Sequence, residues 1–369
     1  MIAPLLAMHM ANELLSIPVA AGTLVIGFAA VALAATLSRR RLDSEKLPLM
    51  GVLGAFVFAA QMINFTLPGL GTSGHLGGAV LLAILLGPAA AIVTMAAILI
   101  IQCLLFADGG LLALGCNIIN MAVIPSIVGW AIYRLIAGSA ATTGPVRQYL
   151  AAWLACVAGV TAGAAMVPLQ TAFSGVLTIP AGDFLAVMVG IHLLIGLVEG
   201  LITFAVLAYL RRTRPAAVGL GAPAAAAPLS RRALGASIVV TSLLIAGVVS
   251  WFASSHPDGL EWSYGVYPQQ AHGQASGVGN SDSRILAAST WQQRWSPMSD
   301  YTARSAPMGE VPSGQGLTDD ESAEPAGASL ANVDGWGSLA GVIGTLATVA
   351  VLFVAARLIA RRQRASSLR

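Results

Sequence analysis

The chain has 369 residues, of which 57% are hydrophobic and only 9% charged, with a formal net charge of +3. So few charges cannot cover the surface of a soluble protein of this length, so composition excludes a water-soluble enzyme and implies an all-α polytopic membrane protein. A basic balance in such a chain reflects arginine anchors at the membrane rather than nucleic-acid binding. Three cysteines, Cys103, Cys116 and Cys156, are an odd number without C-x-x-C spacing; they exclude a disulfide scaffold and read as small buried hydrophobes.

A bilayer core of about 30 Å takes about 20 apolar residues per helix. Met1–Ala7 has no positive flank and is too short for a secretory signal. Apolar runs follow at 17–37, 49–67, 89–107, 111–136, 150–168, 184–210 and 234–252, with a last one at 337–358. The segment 76–86 is closed by Gly87-Pro88 and, at about 1.5 Å per residue, is too short to span alone. Counting it as a crossing, with the N-terminus outside, places sixteen of the 19 Lys and Arg on the cytoplasmic side. Omitting it inverts every later group. The reading is therefore a seven-crossing helical core over 1–210, a cytoplasmic linker over 211–233, and a unit over 234–369. In the last unit two further transmembrane helices flank an extracytoplasmic loop at 253–335. That loop carries ten acids and three arginines, net −7, leaving +10 on the rest. Its Gly/Ser/Gln-rich part, 269–283, reads as disordered.

The only lysine, Lys46, lies between Glu45 and Leu47, so there is no Gly-Lys-Ser/Thr loop for ATP, and active transport requires a partner ATPase or an ion gradient. Two of the five histidines, His9 and His75, fall on the predicted outer side. If Met8 were the first residue, its amine, the His9 amide and His9 Nδ1 would form fused five- and six-membered chelate rings. His75, in Gly71-Thr72-Ser73-Gly74-His75, is then the natural fourth nitrogen. A square of nitrogens favours Ni(II) or Cu(II) over Zn(II). The plainer alternative is two unrelated loop histidines. A hydrolase using Ser73 and His75 has no orienting carboxylate nearby and is disfavoured.

His192 and Glu199, seven apart in one span, read either as a functional intramembrane polar pair or as a structural one. Asn64, Gln102, Asn117 and Asn120 lie near predicted outer ends, where they could support the metal loop from behind or simply join helices. Asp108-Gly109-Gly110 reads first as a turn. Asp258 and Glu261 read first as solubilising loop acids. The small-residue stripes Gly51/Ala55/Ala59 and Ala30/Ala34/Ser38 read as internal packing ahead of partner docking.

Several blocks resemble a known family. Met8-His9 ahead of Leu14-Leu15-Ser16, Gln61-Met62-Ile63-Asn64-Phe65, the Gly71–Gly78 block, Gln102–Gly110, Asn117-Ile118-Ile119-Asn120-Met121 and His192–Thr203 together resemble CbiM/NikM proteins. These are the substrate-binding components of energy-coupling-factor transporters for nickel and cobalt. Pro257-Asp258-Gly259-Leu260-Glu261 resembles the signature of the accessory PDGLE-type (NikN/CbiN-like) module, fused here to the first part. The resemblance implies capture of Ni(II), or alternatively Co(II) for corrin synthesis, by the Met8 amine, the His9 amide and imidazole, and the His75 imidazole. It also implies a bacterial-type cytoplasmic membrane, a transmembrane coupling component and a cytoplasmic ABC-type ATPase as partners, and no catalytic residues or bound organic cofactor in this chain. Two departures stand out. Seven residues precede Met8, so translation is expected to start at Met8, and Ala11-Asn12-Glu13 replaces the family's usual Pro-Asp/Glu-Gly stretch.

Overall fold

The computed structural model describes residues 9–41, 47–138, 144–213, 231–254, 256–301 and 335–367. The described chain forms α1 (Ile17–Arg41), α2 (Leu47–Gln61), a hairpin of β1 (Phe65–Leu67) and β2 (Thr72–Gly74), α3 (Ala79–Leu86) and α4 (Pro88–Phe106). There follow α5 (Leu114–Ala137), α6 (Pro145–Ser174), α7 (Ala181–Thr213), α8 (Arg231–Gly247), α9 (Ser283–Trp295) and α10 (Gly335–Ser367). Six of these, α1, α4, α5, α6, α7 and α10, are long and apolar enough to cross a membrane; α2 and α8 are shorter apolar helices. Large side chains such as Val25, Ile26, Leu33 and Phe173 stay exposed, as expected of helices whose outer faces meet lipid.

The run 49–67 does not form one helix. α2 stops at Gln61, and Phe65–Leu67 pairs antiparallel with Thr72–Gly74 in the register Phe65↔Gly74, Thr66↔Ser73, Leu67↔Thr72. Apolar composition alone cannot separate a helix end from a strand of three residues. This hairpin leads into α3, whose eight residues rise only about 12 Å. α3 starts beside Glu199, midway along α7, and ends at Gly87 beside Leu37 and Ser38 of α1. A non-helical loop therefore carries the chain partway into the bundle, and α3 completes the passage, buried among neighbours that satisfy the loop's backbone.

α6 packs between α5 and α7, and α10 lies along α2 and α8, so the C-terminal unit is joined to the first along one flank. Gly51 faces Val349 and Leu352 of α10, which makes its stripe an internal packing surface. α5 contains a π-helical turn over Ile118–Val123, ahead of Pro125, which has no N–H to donate. At its far end Arg147 donates to the Ile136 carbonyl at 2.6 Å and Arg211 donates to Gln148 Oε1. Basic residues from two separate connections thus meet at the end of the bundle away from His9.

The stretch 269–283 is ordered, against the expectation from composition. Gly277 N donates to the Tyr264 carbonyl at 2.7 Å, Thr178 N to the Gly277 carbonyl at 2.9 Å, and Gly279 N to the Val176 carbonyl at 2.8 Å. Backbone pairing with the α6–α7 connection supplies the order, and composition does not report backbone pairing. Residues 214–230 of the expected linker and 302–334 of the expected loop lie outside the described residues.

Candidate metal-binding site

The chain enters the site at His9, ahead of a 3₁₀ turn at Asn12–Leu14. Asn117 brackets the next residue as a strand would: Met10 N donates to Asn117 Oδ1 at 3.0 Å, and Asn117 Nδ2 donates to the Met10 carbonyl at 3.1 Å. Asn12 Oδ1 accepts from Leu112 N at 2.8 Å and Ala113 N at 3.3 Å, capping the turn that leads into α5. Threaded this way, His9 is only 2% exposed. Its Nδ1 lies 2.7 Å from Asp108 Oδ1, while its Nε2 is buried with no hydrogen-bond partner among the described residues.

The His75 ring sits opposite, centroid to centroid 5.7 Å from that of His9. Its loop is held from two sides. Gln102 Nε2 donates to Gln61 Oε1 at 3.0 Å, and Gln61 Nε2 donates to the Gly77 carbonyl at 3.0 Å. From α7, Glu199 accepts Gly77 N at 2.7 Å and Gly78 N at 3.1 Å. The two imidazoles border a cavity of about 90 Å³ that runs between α5, α6 and α7, past Asn120, Met121, Met188, His192 and Glu199.

The sequence-predicted residues therefore divide. His9 and His75 come together, as do Asn117 and Gln102 behind them. Asn120 borders the cavity but pairs reciprocally with Gln170 at 2.8 Å in each direction. Asn64 is elsewhere, its carbonyl accepting from Ser254 N at 2.7 Å. His192 and Glu199 are not a pair: His192 Nδ1 donates to the Met188 carbonyl at 2.8 Å, and Glu199 is committed to the His75 loop. Ser73 Oγ donates to the His256 carbonyl at 2.9 Å rather than toward His75, so these two do not form a nucleophile–base pair. Met8 lies outside the described residues. Among the described residues, no three of His, Cys, Asp or Glu form a ready-made metal cage. The chelate expected through His9 Nδ1 meets a competitor, since Asp108 engages that nitrogen.

Three acids are placed otherwise than their loops suggest. Asp108 is no mere turn residue, because it joins His9 on one oxygen and accepts Tyr301 Oη on the other at 2.6 Å. Burial raises its pKa, but the His9 imidazole beside it and the hydrogen bonds from His9 and Tyr301 outweigh that and hold the carboxyl below the usual range. Asp258 and Glu261 are buried, not solubilising. Asp258 borders the cavity and caps a helical turn, accepting Glu261 N at 2.7 Å. The segment is fixed to β2, where Ser73 N donates to the Pro257 carbonyl at 2.8 Å and Thr72 Oγ1 to the same oxygen at 3.0 Å. Burial pushes Asp258 up to about 7; burial, then the Asp258 charge, pushes Glu261 up to about 7. The sequence signal for this docking was the Pro-Asp-Gly-Leu-Glu block, and for Asp108 the Asp-Gly-Gly block; neither spacing says which residue lies opposite.

Residues 9–217 match the family described as "Cobalt uptake substrate-specific transmembrane region" (CbiM), and residues 232–361 match the PDGLE domain. A fused nickel transport protein NikMN of Rhodobacter capsulatus is 32% identical over 340 residues, covering 82% of this chain and 92% of that protein. A cobalt transport protein CbiM of Sorangium cellulosum is 31% identical over 210 residues, covering 56% of this chain and 93% of that protein. A solved chain described as a truncated transition metal transporter is 32% identical, covering 55% of this chain and 98% of its own length, with a TM-score of 0.47.

Proposed function

Because the chain belongs to the CbiM family and carries a PDGLE domain in the same polypeptide, we propose that it captures Ni(II) on the outer side of a cytoplasmic membrane for ATP-driven uptake. It is a multi-pass membrane protein and a metal transport component of the nickel/cobalt type, not an enzyme. The observation that carries the reading is the approach of His9 and His75 at a shared cavity, with His9 Nε2 buried and, among the described residues, unpartnered. A buried imidazole nitrogen without a partner is costly unless a ligand completes it. Donors that are nitrogen rather than carboxylate oxygen suit Ni(II) and Co(II) over Mg(II) or Ca(II). The Met8 amine, once free, adds a further nitrogen next to His9.

Nickel is favoured by the relative that matches both parts of the chain, which is named a nickel transport protein; Co(II) uptake for corrin synthesis is the second reading. The orientation has His9, His75 and 253–335 outside and the basic end, with the C-terminus, in the cytoplasm. The energy comes from a transmembrane coupling component and a cytoplasmic ABC-type ATPase. Calorimetry of Ni(II) and Co(II) on the purified chain tests the site. His9→Ala and His75→Ala are each expected to weaken Ni(II) binding at least about a hundredfold, since each removes a donor outright. Wild-type affinity in both variants would remove the site from consideration. Proteoliposomes holding the partners should take up nickel only with ATP; uptake without ATP would replace the pump by a channel.

A further inference from the structure

α9 lies across the end of the bundle at which His9 sits. Midway along it, Ser289 Oγ donates to Glu13 Oε1 at 2.7 Å and accepts from Asn12 Nδ2 at 2.9 Å. Just ahead of the helix, Asn280 Nδ2 donates to the Leu15 carbonyl at 2.7 Å, next to the start of α1. Just after it, Ser296 Oγ donates to the Leu104 carbonyl and Met298 N to the Leu105 carbonyl, both at 3.1 Å, in the last turn of α4. Both α1 and α4 are long and apolar enough to cross a membrane. The 19 residues of α4 rise about 28 Å, close to the thickness of a hydrocarbon core, so its last turn stands where acyl chains meet headgroups. A helix laid across two such ends runs along the membrane surface.

The faces of α9 are sorted accordingly. Ile285, Ser289, Gln292 and Ser296 fall on one side, and Ile285, Gln292 and Ser296 are buried. Gln292 ties the end of α4 to the connection that follows it: its Nε2 donates to the Cys103 and Gly109 carbonyls at 3.0 and 2.8 Å, and its Oε1 accepts Leu111 N at 2.8 Å. Thr290 and Arg294 stand on the far side and are exposed, as residues facing water should be. Trp291 and Trp295, one turn apart, stand about a quarter turn to the side of the buried face. They are 53% and 65% exposed, with ring centroids 6.3 Å apart, and they point along the surface rather than away from it. Ser296, which follows Trp295, is bonded to Leu104, itself exposed on a membrane-length helix. Lipid that covers Leu104 therefore reaches Trp295. Two more exposed tryptophans mark the same end of the bundle, Trp251 after α8 and Trp336 at the start of α10, joined where Trp251 Nε1 donates to Ser338 Oγ. An indole has a large apolar body and one N–H, which suits it to the layer where acyl chains give way to water.

Independently of which ion is bound, we propose that α9 is an interfacial helix: its Trp291–Trp295 flank docks in lipid, at the boundary of headgroups and acyl chains, on the side of the membrane where His9 lies. The partner of this surface is the bilayer itself. The helix that ties the end of α4 to the start of α5 is thus held by the membrane as well as by the bundle.

The test is made on the full chain in phosphatidylcholine vesicles that carry bromine, a contact quencher of tryptophan, either near the top of the acyl chains or near their ends. The chain has seven tryptophans, so the emission of the pair is read as the difference between the wild type and Trp291→Phe/Trp295→Phe, changes at exposed positions. Shallow bromine is expected to lower that difference by at least about half relative to plain vesicles, and deep bromine by less, because interfacial groups enter only about 5–10 Å. A difference untouched by bromine at either depth would overturn the proposal. If it then shifts to the blue on adding the transmembrane coupling component, the flank is a protein-docking face instead. If it shifts with the protein-to-lipid ratio, the flank meets a second copy of this chain. Stronger quenching from the deep position would place the pair inside the hydrocarbon and overturn the interfacial placement.

Discussion

Glu199 offers the sharpest test of how the His75 loop is held. It is 1% exposed, and its two oxygens accept the backbone N–H groups of Gly77 and Gly78 at 2.7 and 3.1 Å. In Glu199→Gln only one oxygen remains. The amide NH₂ then faces the second backbone N–H, so two donors oppose each other in a buried place. An unsatisfied buried donor costs about 1–3 kcal/mol, and losing a bond to a charged acceptor adds a comparable amount, for a total of roughly 2–4 kcal/mol. Because the affected amides lie two and three residues after His75, part of this cost falls on the metal-bound geometry. With about half of it appearing in binding, and about 1.4 kcal/mol per decade, nickel affinity drops by about 5- to 30-fold. Calorimetry of the variant in detergent, paired with thermal unfolding followed by tryptophan fluorescence, measures both shares. Glu199→Gln that binds nickel as tightly as the wild type and melts at the same temperature would refute the clamp.

Glu261 makes the docking of the 256–272 segment pH-dependent. Its carboxyl is raised from 4.5 to about 7 by burial and by Asp258, with Asp300 opposing its charge as well. The folded state therefore prefers the proton more than the unfolded state does. The segment is most stable below about 4.5, loses stability as pH climbs from there to about 7, and is level above it. Glu261→Gln should flatten that part of the melting-temperature profile, and a profile with the same slope in both proteins would count against the assignment. Gly78 has φ +79°, and a Cβ there would stand 2.5 Å from Val57 Cγ1. Gly78→Ala is expected to cost roughly 2–4 kcal/mol from left-handed strain plus overpacking. Adding Val57→Ala should restore only the packing share; full restoration would show that the backbone conformation carries no cost.

What the sequence made legible follows from what apolar periodicity and charge encode. Both are local or additive quantities, so they located the long helices and placed His9 and His75 at one end. They could not show that Phe65–Leu67 leaves the helix, because Phe-Thr-Leu reads alike in a short strand or a helix end. Nor could they show that Asp108 faces both His9 and Tyr301, or that Pro257 pairs with Ser73, since those partners lie 99, 193 and 184 residues apart in sequence. Two anomalies were nevertheless visible and belong together. One is an acid, Glu199, inside a membrane-length apolar run; the other is a helix, α3, too short to cross and entered through Gly77-Gly78. A carboxylate at that depth needs donors, and a loop that descends partway into a bundle brings free N–H groups needing acceptors. Each is unfavourable alone, and each removes the other's cost, so the half-length helix and the buried acid imply one another. The same reasoning explains why the His75 loop can be non-helical where it is. The glycines that let it turn would leave it without a fixed shape, and the Glu199 carboxylate supplies the shape they lack.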